Sequence, residues 1–436
     1  MKRLVLFLLC ILAAGDAHAA VPTPGTPQAR PVAIVGATLH PVVGPMIASG
    51  TIVFDKGKIV SVGAGAAPAG ADVVDGAGKH VYPGLIDPWT NLGLTEIDAN
   101  RATRDYAEVA PIAPNVRADQ AFQPESELIP VARSNGVLLA HVTPRGGVLG
   151  GQSALMELDG WTNADMTLRA PLGVVVNWPN MLVVRGDDPR AEARQREARD
   201  GALRNLNQAF DDAQAWRTGG EAHDRRWESM RAVLDGKLPL LVAAEEVHQI
   251  EAAVAFATER KLKLVIYGGY DAPLVAELLK AHDVPVIVSA ILRTPRRRGD
   301  PYDAAFTVPA RLAAAGVRFA IANGGGAWSE RNLPYQAATA QAFGLTADQA
   351  LEAITLSPAR ILGVDDRVGA LAAGLDATLI VTDGDVLEES SHVLNAYIEG
   401  RAVDLTDRQK TLNEKYREKY RRLGAPAAPT TVSTNP

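Results

Sequence analysis

From residue 238 to residue 326 the chain repeats one pattern, a continuous apolar run followed by an amphipathic stretch. "LPLLVAA" precedes "EEVHQIEAAVAFATERK", and "LKLVIYGG" precedes "YDAPLVAELLKAHD". "VPVIVSAIL" precedes helical sequence around "AAFTVPARLAAAG", and "VRFAIANGGG" follows. A strand that is apolar at every position is covered on both faces, which is the signature of a parallel sheet flanked by helices. Four or more such βα units in series, within roughly 280 residues, point to a (β/α) barrel before an open sheet.

The two ends read differently. "VAIVGATLHPV", "GTIVFDKGKIVSVGAG" and "ADVVDGAGKHVYPG" are β-branched stretches broken by Gly and Asp-Gly turns, and strand sequence returns at "DATLIVTDGDVL" and "SHVLNAYIEGRAVDL". Between Asp187 and Leu238, two helical stretches carry the stripes Leu203, Leu206, Phe210, Ala213 and Trp227, Met230, Leu234, separated at Gly219-Gly220. They are read as barrel-covering helices. Near the end, Thr406 and Gln409 have capping-box spacing, and Leu412, Tyr416, Tyr420 and Leu423 form a stripe expected to dock on the body.

With 47% hydrophobic and 22% charged residues, the chain can build a core, which excludes disorder over most of its length. A net charge of −6 excludes a nucleic-acid footprint. Lys2 and Arg3, the apolar Leu4 to Ala14 and the small-x-small Ala17-His18-Ala19 read as a cleaved signal peptide. The apolar run is too short for an anchor helix, so no membrane anchor is expected after cleavage, and a periplasmic or secreted location is. The single cysteine, Cys10, lies inside that leader, so the exported chain has no thiol and relies on its core.

"GTIVFDKGKIVSVGAG…VVDGAGKHVYPGLID", followed by "AITLSPARILGVDDRVGALAAGLDATLIV", resembles the two ends of the amidohydrolase superfamily, close to its imidazolonepropionase-like and dipeptidase-like branch. The resemblance implies an α/β fold: a (β/α)8 TIM-like barrel with a small composite β-sandwich formed by the N- and C-terminal segments. The expected organisation is a signal peptide over 1–20, the sandwich over 21–80 with 366–405, and the barrel over 81–365. A C-terminal helix over 406–424 and a disordered tail over 425–436 complete it.

The resemblance also implies one or two divalent metals at the barrel's C-terminal mouth, activating water and polarising a scissile carbonyl. Carried over position by position, the ligand set is missing. The first motif, Asp-x-His-x-His in the family, reads Asp87-Pro88-Trp89-Thr90-Asn91. The fifth-strand His falls on Ala243, the sixth-strand His on Tyr267, and the eighth-strand Asp on Asn323 or Gly324. Trp, Ala and Tyr are not ordinary divalent-metal ligands, and neutral Asn is a poor one. No metal and no cofactor is therefore expected.

The remaining histidines do not rebuild the set. His40 and His80 fall in sandwich leads, His223 and His282 in helical or linker sequence, and His392 in the closing strands. His141 reads as a satisfied core histidine, and His248 follows Glu245 and Glu246 in what reads as a helix first turn. Glu96 and Asp98 read as loop carboxylates. Gly146, Gly147, Gly150 and Gly151 read as a turning loop before an anion nest, and Arg293, Arg296, Arg297 and Arg298 as a solvated loop.

The expectation is an exported amidohydrolase-like protein, by family a hydrolase of non-peptide or dipeptide carbon–nitrogen bonds, that is catalytically silent. It would act as a partner or ligand-binding subunit, paired with an intact amidohydrolase relative or with a second copy. Trp89, Asn91, Tyr267 and Asn323 are the candidate ligand-pocket residues. The alternative is an active carbon–nitrogen hydrolase with an unconventional carboxylate site at Asp87, Glu245 and Glu246.

Overall fold

The computed structural model describes residues 23–184, 188–219 and 223–424. The expected leader, with Cys10, and the expected tail lie outside the described residues. The strands run β1 (Val32–Leu39), β2 (Ile47–Asp55), β3 (Lys58–Gly63), β4 (Asp72–Asp75), β5 (His80–Pro83), β6 (Leu85–Thr90), β7 (Val137–Val142), β8 (Leu149–Gln152) and β9 (Ala154–Glu157). They continue with β10 (Thr167–Arg169), β11 (Val174–Asn177), β12 (Leu240–Ala244), β13 (Leu264–Gly268), β14 (Val286–Val288), β15 (Phe319–Ile321), β16 (Leu379–Thr382), β17 (Val393–Ile398) and β18 (Arg401–Ala402).

Strands from both ends of the chain share one eight-stranded sheet, ordered β18-β17-β16-β5-β1-β2-β3 with β4 beside β1. The junction is antiparallel, with Leu379 opposite Pro83 and Thr382 opposite His80. Ile34, Ile52, Phe54, Val81, Leu379, Val381 and Tyr397 converge on one buried cluster, which explains why two β-branched segments so far apart in sequence fold together. β5 belongs to this sheet, so the strand crosses the boundary expected at residue 81, and only Gly84 separates it from β6.

The middle of the chain forms a TIM-barrel-like domain with mixed sheets. β11 to β15 are parallel neighbours, with β8 antiparallel at the edge, and β6 and β7 pair in parallel beside β9 and β10. Leu240, Val242, Leu264, Ile266, Val286 and Val288 face the helices, while Leu241, Val265 and Ile287 face an inner cluster with Trp89, Val175 and Ala322. Both faces of each strand are thus buried, which is the reason for the unbroken apolar runs.

The covering helices Pro189–Gly219 and Arg225–Leu234 bury Leu206, Phe210, Ala213, Met230 and Val233, as their stripes require. The C-terminal helix differs from expectation. It runs Arg408–Arg422, its N-cap is Asp407, whose carboxylate accepts from the Lys410 N–H, and Thr406 bonds Asp404 instead. None of its residues is buried, and Leu412, Tyr416, Tyr420 and Leu423 stay exposed.

Candidate functional site

The C-terminal ends of the barrel strands carry the chemistry in this fold class, because the βα loops converge there. At that end Trp89 of β6 and Tyr267 of β13 lie face to face, ring centroids 4.1 Å apart and planes within 6°. Ala243 is the ladder partner of Tyr267, so a methyl group is its neighbour on one side. Burial pushes the Tyr267 hydroxyl well above its usual titration range, and it stays a neutral phenol.

Beside this stack a polar knot joins β6 to the segment after β15. Asp87, fully buried, accepts from the Trp89 N–H at 3.0 Å and from the Asn323 N–H at 3.2 Å. Asn91 accepts from the Ala327 N–H at 3.1 Å, and Asn323 donates to the Ser329 hydroxyl at 2.8 Å. The Thr90 hydroxyl donates to Glu330, which is itself bonded to Asp87 and fully enclosed. Burial, and then the Asp87 charge, raise Glu330 well above the carboxylate range, so the proton of this carboxyl pair resides on Glu330. Arg145 approaches both carboxyls and opposes the shift. Arg145 Nη2 and Asn323 Oδ1 are buried with no hydrogen-bond partner among the described residues.

His141 sits behind Trp89 as the core histidine its strand context suggests. It is fully buried, with Nδ1 2.6 Å from the Pro88 carbonyl and Nε2 2.8 Å from the Ser153 hydroxyl. A neutral ring, donating from Nδ1 and accepting at Nε2, satisfies both. Burial pulls its pKa down to about 4.

The candidate carboxylates are not assembled into one group. Glu245 is clamped by Arg293 through two contacts of 2.8 and 3.1 Å and accepts from the Tyr270 N–H at 3.0 Å. Glu246 is the N-cap residue of the helix Val247–Arg260 and lies 3.5 Å from Arg296. Neither bonds to Asp87. His248 is exposed on that helix. Glu96 accepts from Ser126 at 2.6 Å, and Asp98 receives the Tyr106 hydroxyl at 3.3 Å. Three of the four arginines in that run are paired rather than simply solvated: Arg297 holds Asp271 and Asp300, and Arg293 and Arg296 hold Glu245, while Arg298 is exposed. Gly146 and Gly147 are packed against Ala107 and Pro111, where a Cβ would collide with backbone.

Among the candidate pocket residues, Trp89 stacks on Tyr267, while Asn91 and Asn323 belong to the adjoining knot. Glu330 escaped sequence reasoning. Nothing in "GGGAWSERN" singles it out, and only the return of that turn to β6 buries it. Among the described residues no three His, Cys, Asp or Glu side chains converge in a way that could hold a metal ion.

An amidohydrolase-family model matches residues 245–406. The chain is 28% identical over 384 residues to an imidazolonepropionase of Stenotrophomonas maltophilia (strain R551-3), covering 78% of this chain and 87% of that protein. It is 21% identical over 388 residues to the amidohydrolase tasK of Hapsidospora irregularis, but that match spans 81% of this chain and only 40% of the fungal protein. The crystal structure of an amidohydrolase from Thermotoga maritima MSB8 superposes with a TM-score of 0.77 at 26% identity, covering 86% of this chain and 99% of that one. Over most of its length the chain is thus similar to amidohydrolases, and the family model itself covers residues 245–406.

Proposed function

We propose that this is an exported, periplasmic or secreted amidohydrolase-like protein that does not carry out metal-dependent hydrolysis and works as a ligand-binding or partner subunit, alongside an intact relative or a second copy. The observation that carries the reading is the Trp89–Tyr267 stack. Indole and phenol stand, with the Ala243 methyl beside them, at three positions where the family places imidazoles. Residues of this kind do not fit a catalytic zinc, which needs three protein donors and an open coordination position. The same reading takes the two central sheets as one closed (β/α)8 barrel and the eight-stranded sheet as the composite sandwich.

The deciding experiment is metal analysis of protein incubated with excess zinc and then desalted, run beside hydrolysis of a dipeptide and cyclic-amide panel. Less than about a tenth of an equivalent of zinc, with no hydrolysis, is expected, since structural and catalytic zinc sites bind stoichiometrically. Stoichiometric zinc with turnover overturns the reading.

One observation favours a second reading, hydrolysis by carboxyl groups alone. Asp87 and Glu330 form a buried pair in which one acid is held protonated beside a carboxylate, the arrangement general acid–base chemistry uses. Metal-free turnover of the panel that disappears in Glu330→Gln, and survives in Glu245→Gln, supports that reading.

A further inference from the structure

The opposite end of the barrel, formed by the segments that lead into β11 to β15, holds a cavity of about 680 Å³. Its lining carries six cationic side chains, Arg169, Lys237, Lys261, Lys263, Arg318 and Arg360, against a single acid, Asp283, in a chain whose net charge is −6. Three of the cations are tied at the rim: Arg169 to Asp366 at 3.0 Å, Arg318 to Asp283 at 2.9 Å and Arg360 to Glu352 at 2.7 Å. Lys237 is only 3.7 Å from Asp235, and the side chains of Lys261 and Lys263 have no ion pair or hydrogen bond among the described residues.

Helix C-termini gather at this end of a barrel and attract cations, but that attraction fades within the last turn. Lys261 is the C-cap of Val247–Arg260, Arg360 lies in the last turn of Leu356–Leu362, and Lys237, Lys263 and Arg318 each follow a helix C-cap by two residues. Arg169 lies on β10, away from any helix end, while Lys237, Lys263 and Arg318 lie past the last helical turn on connections into strands, where the dipole acts more weakly. Lys261 also has φ +58° in the left-handed region, where glycine is the low-cost residue. A lysine thus occupies a left-handed position in the cavity lining, with no side-chain partner among the described residues.

We propose that this cavity binds a small molecule carrying at least two phosphate groups. The guanidinium forks are already engaged by carboxylates, whereas the unengaged groups are ammonium ions, compact point charges that also bind phosphate. Leu172, Val254, Leu264 and Ile361 line the same cavity and would cover an apolar part of the ligand. The proposal is independent of the reading of the opposite mouth and stands or falls without it.

Tripolyphosphate, titrated calorimetrically into the full chain at low salt, tests it, with citrate as the carboxylate comparison. Saturable one-to-one binding is expected, weakened about tenfold or more in Lys261→Gly and further in Lys261→Gly/Lys263→Gln, since each charge-assisted contact is worth about 1.5–3 kcal/mol. Lys261→Gly relieves the left-handed backbone, so its melting temperature should not fall while its affinity does. Lys56→Gly provides the control: it also relieves a lysine at positive φ (+49°), in a turn outside the cavity lining, and should leave binding unchanged. Absence of saturable binding, equal affinity for citrate, or unchanged affinity in Lys261→Gly would each overturn the proposal.

Discussion

His141 illustrates how one buried side chain sets the response of the protein to acid. Its ring is fully enclosed and spends both nitrogens on neutral partners, so a proton has no place there, and burial holds its pKa at about 4 against 6.5 in an unfolded chain. Between those values the unfolded state binds the extra proton. Stability supplied by the neutral ring is therefore present above pH 6.5 and is lost as pH falls toward 4, by about 2 kcal/mol between pH 7 and pH 5. Other groups pull the opposite way. Glu157, raised to about 8 first by burial, favours the folded state when protonated, so its contribution declines as pH rises from 4.5 to 8. For that reason the test is a difference. Urea midpoints converted to free energy at pH 7 and pH 5 should fall more in the native chain than in His141→Gln; equal changes would refute the assignment. At the same scale, Trp89 is 2% exposed and stacked on Tyr267, so Trp89→Ala should cost about 3–5 kcal/mol in urea unfolding. A loss under about 1 kcal/mol would mean the ring is not part of the packed interior.

At the scale of elements, the C-terminal helix tests the difference between forming and docking. Seven of its fifteen residues are Lys or Arg, and no residue is buried, so it adds little to the body's stability. Removing residues 408–436 should shift the melting temperature by less than about 2 °C, as surface changes usually do. A larger drop would reveal contacts that stabilise the body. The same helix shows where sequence reasoning stopped. Thr406 and Gln409 satisfy the capping spacing, but Asp407 competes one residue later with a better acceptor, and Thr406 is captured by Asp404. A stripe of Leu and Tyr specifies amphipathicity but not what covers it. The βα units were legible because burial on both faces writes itself into every residue of a strand. The Asp87–Glu330 pair was not, because Glu330 acquires its meaning only when a turn 240 residues beyond Thr90 folds back onto it. Trp89 and Tyr267 became informative only through the family positions they occupy, since periodicity alone marks them as ordinary core.

For the whole molecule, the question is whether the sheet built from the chain ends and the barrel are one cooperative unit. Three features join them. Gly84 alone separates β5 from β6, and its N–H bonds the Thr378 carbonyl at 3.0 Å. The sheet is also two-sided: Leu379 and Val381 face its own cluster, while Ile380, Ala396 and Ile398 face the barrel core together with Leu85 and Leu138. A core shared in this way cannot lose one side and keep the other at native packing density. Calorimetry should therefore give one heat-absorption peak, not two. Ile380→Ala in the sheet and Leu138→Ala in the barrel, both fully buried, should each lower that same peak, at about 2–5 kcal/mol apiece. Because both side chains line the same core, their double variant should depart from additivity, as contacting or cavity-sharing sites do by about 0.5–3 kcal/mol. Two resolved peaks, with Ile380→Ala moving one and Leu138→Ala the other, would show that sheet and barrel are separable and that the closure of the chain ends is a local feature.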